Sequence, residues 1–145
     1  MIAITPANRE DLPAITRLLT EAHLPLDGLT PWLHQIVVAT EDNQIVGCVA
    51  LEIYGTVALL RSVAVASSHQ GQQVGHRLVD AVLAQAREQG IHDLYLLTET
   101  ASSYFSRWGF TSITRDDVAP ALQRSVEWRE ACPASALVMR LPLTA

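Results

Sequence analysis

Residues 61–75, Arg-Ser-Val-Ala-Val-Ala-Ser-Ser-His-Gln-Gly-Gln-Gln-Val-Gly, run from a β-branched stretch through a polar, glycine-containing turn into an amphipathic helix. Such a turn can aim backbone N–H groups at an anion, and the helix start adds a partial positive charge. Glycine lets the backbone approach a pyrophosphate without a Cβ in the way. The stretch therefore predicts a phosphate cradle between a strand and a helix; a generic helix-entry loop is the alternative.

On the N-terminal side of this stretch, the sequence predicts a strand at Ile2 and Ile4, then a helix capped by Asn8. A three-stranded meander follows, because β-branched runs alternate with turn residues. The runs are residues 36–39, 45–53 and 57–66.

On the C-terminal side, helical and strand patterns alternate to the end of the chain. The predicted elements are a helix at 75–89, a strand at 94–98, a short helix at 101–108, a strand at 110–114, a helix at 120–131 and a strand at 135–141. No repeat or linker-like segment interrupts the pattern. The chain is therefore expected to form one α/β domain, residues 1–145, with a mixed central sheet and flanking helices.

Composition narrows the class of protein. Hydrophobic residues make up 49% of the 145 residues and the formal net charge is -5, so a core can form and the cationic excess used to bind nucleic acid is missing. The apolar runs are too short to span a bilayer, and the N-terminus does not resemble a signal peptide, so we expect a cytoplasmic protein. Cys48 and Cys132 have no CxxC spacing and the five histidines no HxxxH spacing, so no metal site is expected.

Residues 61–75 also resemble the acetyl-CoA-binding motif of the GCN5-related N-acetyltransferases (GNAT), Arg/Gln-x-x-Gly-x-Gly/Ala after a strand that ends in Val-x-Val. Gln70 and Gly75 match this motif, whereas Gln73 stands at its middle glycine. The order of elements and the block 104–110, Tyr-Phe-Ser-Arg-Trp-Gly-Phe, extend the resemblance over nearly the whole chain. The resemblance implies the GNAT fold and an acetyl-CoA-dependent enzyme that needs no metal.

By this resemblance, the main chain of Val63 and Val65 would pair with the pantetheine arm and direct an N–H at the thioester carbonyl. The cradle would hold the pyrophosphate. Its residues are Gln70, Gly71, Gln72, Gln73, Val74, Gly75 and His76.

Transfer to an amine requires that the protonated amino group first lose a proton. Glu52, which interrupts apolar neighbours in its strand, is one candidate base, and an edge-strand carboxylate facing solvent is the alternative reading of it. Glu99, just after the strand at 94–98, is a second candidate.

Arg61 interrupts an apolar strand that is expected to be central, so its guanidinium needs an anionic partner. That partner is either a protein carboxylate such as Glu52 or the carboxylate of the substrate. Arg124, in the late helix, is a second candidate for binding a substrate carboxylate and otherwise a solvated helix charge.

A tyrosine commonly lies four residues before the Gly-Phe pair in this superfamily, where it can protonate the departing CoA thiolate. Phe105 occupies that position here, and Tyr104 is one residue earlier, about 100° around a helix. We therefore expect the Tyr104 hydroxyl to point elsewhere and a dedicated acid to be dispensable.

Within the family, the sequences of segments 59–65, 94–100 and 132–139 look like those of the N-acetyltransferases encoded with arsenic-resistance genes and of the acetyltransferase domain of N-acetylglutamate synthase. The implied acceptor is the amino group of a small amino acid or amino-acid-like toxin, and glutamate-type metabolic acetylation is the alternative. A non-catalytic module that binds acetyl-CoA or an arsenical is a third hypothesis. The expected partner is thus a small-molecule amine, with no nucleic acid or membrane; a homodimer is compatible with the resemblance.

Overall fold

A seven-stranded mixed sheet organises the computed structural model, which describes residues 1–99, 101–131 and 136–143. The strands are β1 (Ala3–Pro6), β2 (Ile36–Glu41), β3 (Gln44–Tyr54), β4 (Val57–Val65), β5 (Asp93–Thr98), β6 (Thr111–Ile113) and β7 (Leu137–Pro142). The α-helices are α1 (Leu12–Glu21), α2 (Val74–Glu88) and α3 (Ser102–Phe105).

The strand order is β1-β2-β3-β4-β5-β7-β6. Each neighbouring pair is antiparallel except β4 and β5, which run parallel because α2 carries the chain from the end of one to the start of the other. β4 therefore lies in the middle of the sheet, as expected for the strand that contains Arg61.

Alternate residues of the meander face the two helices. Val37 and Leu51 pack with the apolar stripe of α2, whereas their neighbours Val38 and Ala50 pack with that of α1. The two long helices thus lie on opposite faces of the sheet. Each covers one apolar face of the central strands and leaves the ends of β4 and β5 accessible.

The mixed sheet, the meander and the two long helices confirm the sequence prediction, with element ends shifted by a few residues. The continuous helix expected at 120–131 is wrong: a 3₁₀ turn, Pro120–Arg124, and a π-type turn, Glu127–Ala131, replace it. Ser125 separates them, with an extended backbone and a buried hydroxyl that accepts from Trp128 N–H at 3.2 Å. The hydroxyl offers the next turn a cap, which favours the break. Within the described ranges, none of the helices is both long and apolar enough to cross a bilayer.

Candidate active site

The central feature of the site is the point at which β4 and β5 separate. Their parallel pairing runs from Val57 opposite Asp93 to Leu60 opposite Leu96 and then ends. Beyond it β4 stays paired with β3, and β5 stays paired with β7. A V-shaped cleft therefore opens between the carboxyl-terminal ends of the two strands.

A β-bulge in β4 explains the separation. The register with β3 shifts so that Ser62 and Val63 together face Val49, and Ser62 adopts a left-handed conformation with φ 63°. The Cys48 thiol donates to the Ser62 carbonyl at 3.3 Å, and burial raises the pKa of that thiol to about 12, which keeps it a donor. Since a bulge bends its own strand, β4 turns away from β5 directly after Leu60.

The bulge leaves one edge of β4 without a strand partner in the described part of the chain. Ala66 N–H donates to Val46 of β3 at 2.8 Å, so alternation along the strand turns the backbone groups of Val63 and Val65 toward the cleft. The Val65 carbonyl accepts from Gln70 Nε2 at 3.2 Å. This edge is the backbone surface that the sequence analysis expects to pair with a pantetheine arm.

The predicted phosphate cradle lies directly beyond this edge, at the start of α2. Gly71 (φ 83°) and Gln73 (φ 68°) both have left-handed backbone conformations. Glycine adopts this conformation without a steric penalty. This explains why the motif has a glycine at the position that Gln73 occupies here. The loop keeps the cradle geometry at the cost of strain at one residue.

Side chains on neighbouring elements anchor both ends of the cradle. His69 bonds to Glu41 at the end of β2 (Nε2 to Oε1, 2.8 Å), and this contact lowers the pKa of Glu41. In the first two turns of α2, Asp80 accepts a hydrogen bond from Trp108 at 2.9 Å, and the His76 ring packs on Trp108 with ring centroids 4.9 Å apart. The segment after α3 is thereby fixed against the first two turns of α2.

The expected direction of the Tyr104 hydroxyl is wrong. Phe105 is buried in the core with Phe110, while Tyr104 faces the cleft, and a Cβ placed on Gly75 would lie 2.8 Å from its hydroxyl oxygen. α3 is a single turn whose apolar face is filled by Phe105, so the neighbouring Tyr104 is the residue that faces the cleft. Burial raises the pKa of Tyr104, which keeps the phenol protonated near neutral pH.

Two cavities meet at Tyr104. The first, about 470 Å³, lies between the ends of β4 and β5 and the loop after α1; Arg61, Thr98, Glu99, Glu127 and His23 are in its wall. The second, about 610 Å³, follows the edge of β4 to the cradle and is lined by Val65, Gly71, Gly75, His76 and Arg107. The first has the size of a small-molecule pocket, and the second is a groove for an extended ligand.

Arg61 is buried at the base of the first cavity, and its guanidinium is fully enclosed by protein. The guanidinium donates at 2.7–3.0 Å to Glu52 Oε2, Ser62 Oγ and the carbonyls of Pro25 and Asp27. Of the two partners that the sequence left open, the protein carboxylate is present.

Glu52 is 1% exposed, so the reading of this residue as a solvent-facing edge carboxylate is wrong. One of its oxygens accepts from Arg61, and the other accepts from the Tyr54 hydroxyl at 2.5 Å. Glu52 is not in the wall of the first cavity. The geometry therefore favours a role in holding Arg61 over a role in proton transfer.

The other two candidates for substrate chemistry separate in space. Glu99 is exposed and lies in the wall of the first cavity. Arg124 lies over the Tyr54 ring, 5.2 Å from its centroid, and donates to Ala121 O; it is not in that wall. Of these two candidates, only Glu99 thus lies where it could contact a molecule in the first cavity.

Glu127 is the residue of the cavity wall that sequence reasoning missed. Within the helix expected at 120–131, only its place between Val126 and Trp128 distinguishes Glu127 from the other charged residues. The break at Ser125 turns it inward, and it is 8% exposed.

No three His, Cys, Asp or Glu side chains within the described ranges are grouped so that they could hold a metal ion. Cys48 is buried, and Cys132 lies outside the described residues.

Comparison with known proteins identifies the family to which these features belong. The family model described as an acetyltransferase (GNAT) domain matches residues 32–112, which span the meander, the cradle and the Tyr104 block. The chain belongs to the GNAT acetyltransferase family. The GNAT fold predicted from the motif at residues 61–75 is thereby confirmed.

Its relatives carry related names. An uncharacterized N-acetyltransferase from Chlorobaculum tepidum is 27% identical over 120 residues, which are 80% of this chain and 77% of that protein. An amino-acid acetyltransferase from Mycobacterium tuberculosis is 35% identical over 72 residues, and the match covers 49% of this chain and 41% of that protein. The chain thus spans less than half of this second relative's length.

Solved structures agree with this GNAT assignment. A Mycobacterium tuberculosis protein in complex with CoA has a TM-score of 0.84 at 25% identity, covering 98% of this chain and 99% of that one. N-acetylglutamate synthase from Neisseria gonorrhoeae, complexed with coenzyme A and N-acetyl-glutamate, shares the fold with a TM-score of 0.86 at 22% identity, over 100% of this chain and 36% of that one. The GNAT chain described here is an N-acetyltransferase that uses acetyl-CoA, as its sequence predicted.

The cradle of this GNAT domain is tested by Gly75→Glu. The substitution introduces bulk 2.8 Å from Tyr104 and a negative charge at the start of α2, so we expect acetyl-CoA affinity to fall at least about 100-fold, or about 2.7 kcal/mol. Isothermal titration calorimetry measures it. Ala84→Glu, which adds the same charge to an exposed position of α2, is the control. Equal affinity in both variants would contradict the cradle.

The structural role of Arg61 is tested by Arg61→Leu. The substitution removes the donor to Glu52 Oε2 and to two backbone carbonyls, so the free energy of unfolding should fall by about 3–5 kcal/mol. Denaturant unfolding measures this loss. Arg140→Leu, which removes a half-exposed pair with Asp93, should lose about 1 kcal/mol or less. Unchanged stability in Arg61→Leu together with a large rise in the acceptor KM would instead make Arg61 a substrate ligand.

Proposed function

We propose that this GNAT enzyme acetylates the primary amino group of a small amino acid or amino-acid-like compound. The observation that carries the proposal is the first cavity, about 470 Å³, at the inner end of the β4–β5 cleft. Its size suits a small molecule, and it meets the cofactor groove at Tyr104. The names of the amino-acid acetyltransferase relatives support this acceptor class.

The proposed reaction is direct transfer, with the acceptor amine attacking the thioester carbon. The backbone of Val63 and Val65 would orient the pantetheine arm along the free edge of β4, and an N–H there would polarise the thioester carbonyl. The cradle would hold the pyrophosphate through backbone N–H groups and the start of α2. In this arrangement the acetyl group would reach the first cavity from the side of Tyr104.

A panel of amines tests the acceptor class. We expect release of free CoA thiol from acetyl-CoA with at least one of the L-amino acids or amino-acid analogues carrying an arsenic group, well above the enzyme-free rate. Mass spectrometry of the product should show one acetyl group on the amine nitrogen. Gly75→Glu serves as the matched control for cofactor binding. Acetyl-CoA binding without turnover on the whole panel would instead favour the non-catalytic binding module.

We also propose that Tyr104 protonates the departing CoA thiolate, since its phenol lies in the wall of both cavities. Because a thiol is a fairly acidic leaving group, the loss in Tyr104→Phe should be at the low end for a general acid, about 10- to 100-fold in kcat. The alkaline limb of the kcat profile should disappear with it. Tyr95→Phe, which removes a phenol on the opposite side of the sheet from Tyr104, is the control. If Tyr104→Phe instead raises the acetyl-CoA KM and leaves kcat unchanged, Tyr104 contacts the cofactor but does not act as the acid.

A further inference from the structure

Glu127 is a buried carboxylate in the wall of the acceptor cavity, and the reaction outlined above does not use it. Its side chain is 11% exposed, and its nearest charged partner is Arg61, with Nε 3.8 Å from Oε1. That separation is longer than a hydrogen bond. No closer polar partner of this carboxylate occurs among the residues that the structure describes.

The charges around Glu127 do not balance. When both are ionised, Glu52 and Glu127 carry two negative charges against the single guanidinium of Arg61, and the short contacts of that guanidinium go to Glu52, Ser62 and two carbonyls. An ionised, partly desolvated carboxylate is costly without a counter-ion. The cavity therefore suits a ligand that brings a positive charge to Glu127.

The same cavity offers little to a carboxylate. All ten basic residues counted as Lys or Arg are arginines, and the residues outside the described ranges contain no Arg, Lys or His. Arg61 is the one arginine among the described wall residues, and its guanidinium is enclosed by protein. His23 is the other basic side chain there, and it is exposed. The charges of the described wall residues thus favour recognition of an acceptor at its ammonium end.

We propose that Glu127 binds the ammonium group of the acceptor and accepts its proton, and that Arg61 does not bind an acceptor carboxylate. The inference rests on the proposed function and names the charge class of its substrate: a primary ammonium whose neighbouring carboxylate is dispensable.

Glu127 takes one proton from R–NH₃⁺, which leaves the neutral amine and a protonated carboxyl group. The nitrogen forms a bond to the acetyl carbon, the carbon–sulfur bond breaks, and the electron pair goes to the CoA sulfur. The second nitrogen proton goes to that thiolate, directly or through Tyr104, and Glu127 returns its own proton to water. The products are the acetamide, CoA thiol and one proton.

The fold holds Glu127 in place through its neighbours. Gly28 has φ 72°, and a Cβ placed on it would lie 2.7 Å from Val126 Cβ, so the loop after α1 packs without a gap against the residue before Glu127. That loop also supplies the carbonyls that hold Arg61. The carboxylate and its charged neighbour therefore belong to one packed unit.

Burial raises the pKa of Glu127 to about 7, with Glu52 and Asp27 adding to the rise and Arg61 opposing it. Besides Arg61, the ionisable groups among the described side chains that share its cavity wall or its turn are His23, Glu99, Tyr104 and Arg129. A base with this pKa is ionised above about pH 7, so activity should rise with pH up to that point. Because the folded pKa exceeds the ordinary value of 4.5, the stability linked to the proton is present below about pH 4.5 and is lost as the pH rises through about 7.

The test compares the wild type, Glu127→Gln and the control Glu88→Gln, an exposed carboxylate at the end of α2. The amine is the best acceptor from the panel, and kcat/KM is measured from pH 5.5 to 9. We expect a tenfold rise per pH unit below about 7 in the wild type and in Glu88→Gln. In Glu127→Gln that limb should vanish and kcat/KM at pH 8 should fall about 10²-fold or more. An unchanged limb in Glu127→Gln, or loss of the limb in Glu99→Gln instead, would overturn the assignment.

Whether Arg61 binds an acceptor carboxylate is tested by comparing the best amino-acid acceptor with its carboxamide, which lacks the negative charge. We expect the two kcat/KM values to agree within about tenfold in the wild type, because no buried cation is left unpaired. A loss of about 10³-fold for the amide would show that a carboxylate is bound and would overturn this half of the proposal.

Thermal unfolding gives a readout that needs no turnover. Glu127→Gln should exceed the wild type in Tm by several degrees more at pH 8 than at pH 5, since it removes a buried charge that forms only at the higher pH. The same difference in Tm at both pH values would show that Glu127 is not a buried carboxylate that ionises between pH 5 and pH 8. If every amine fails with the wild type, the proposed function fails and the substrate role of Glu127 fails with it. If the wild type turns over an amine but Glu127→Gln keeps the same rise of kcat/KM with pH, only the inference about Glu127 is wrong.

Discussion

The buried guanidinium of Arg61 is the constraint on which the site depends. An arginine in a central strand is tolerated only if its donors are used, and here they draw the loop after α1, the neighbouring strand β3 and the bulge in β4 to one point. The loop after α1 and the bulge in β4, together with the turn that carries Glu127, line the first cavity. The same residue that is costly to bury therefore sets the shape of the pocket above it.

The second constraint is the bulge at Ser62. A regular β4 would continue its parallel pairing with β5 and leave no free edge. The extra residue bends β4 away, which exposes backbone groups for an extended ligand and makes room for a small molecule beside them. One irregularity in one strand thus gives rise to both cavities, which meet at Tyr104.

The GNAT motif tolerates local departures because its geometry is a backbone property. Gln73 replaces a glycine yet keeps the left-handed conformation that the loop requires, so the cradle retains its path with some strain. The Tyr-Phe order at 104–105 shows that, for a side chain, spacing in the motif is not sufficient to identify the functional residue. Counting back from Gly109 gave the wrong side chain, because burial of Phe105 in the core, and not the spacing, decides which residue of a single helical turn faces the ligand.

The sequence by itself determined the mixed sheet, the order of most of its elements, the strand–turn–helix unit around residues 61–75 and the need of Arg61 for an anionic partner, because periodicity, turn residues and the cost of a buried charge are local properties. Tertiary structure alone decided that Glu52 is the partner and that Glu127 lies in the cavity wall. Glu127 is 66 residues from Arg61 in the numbering, and its direction follows from a helix break at Ser125 and from packing against Gly28. Contacts between such distant segments depend on how the whole chain fills space, and no local pattern encodes them.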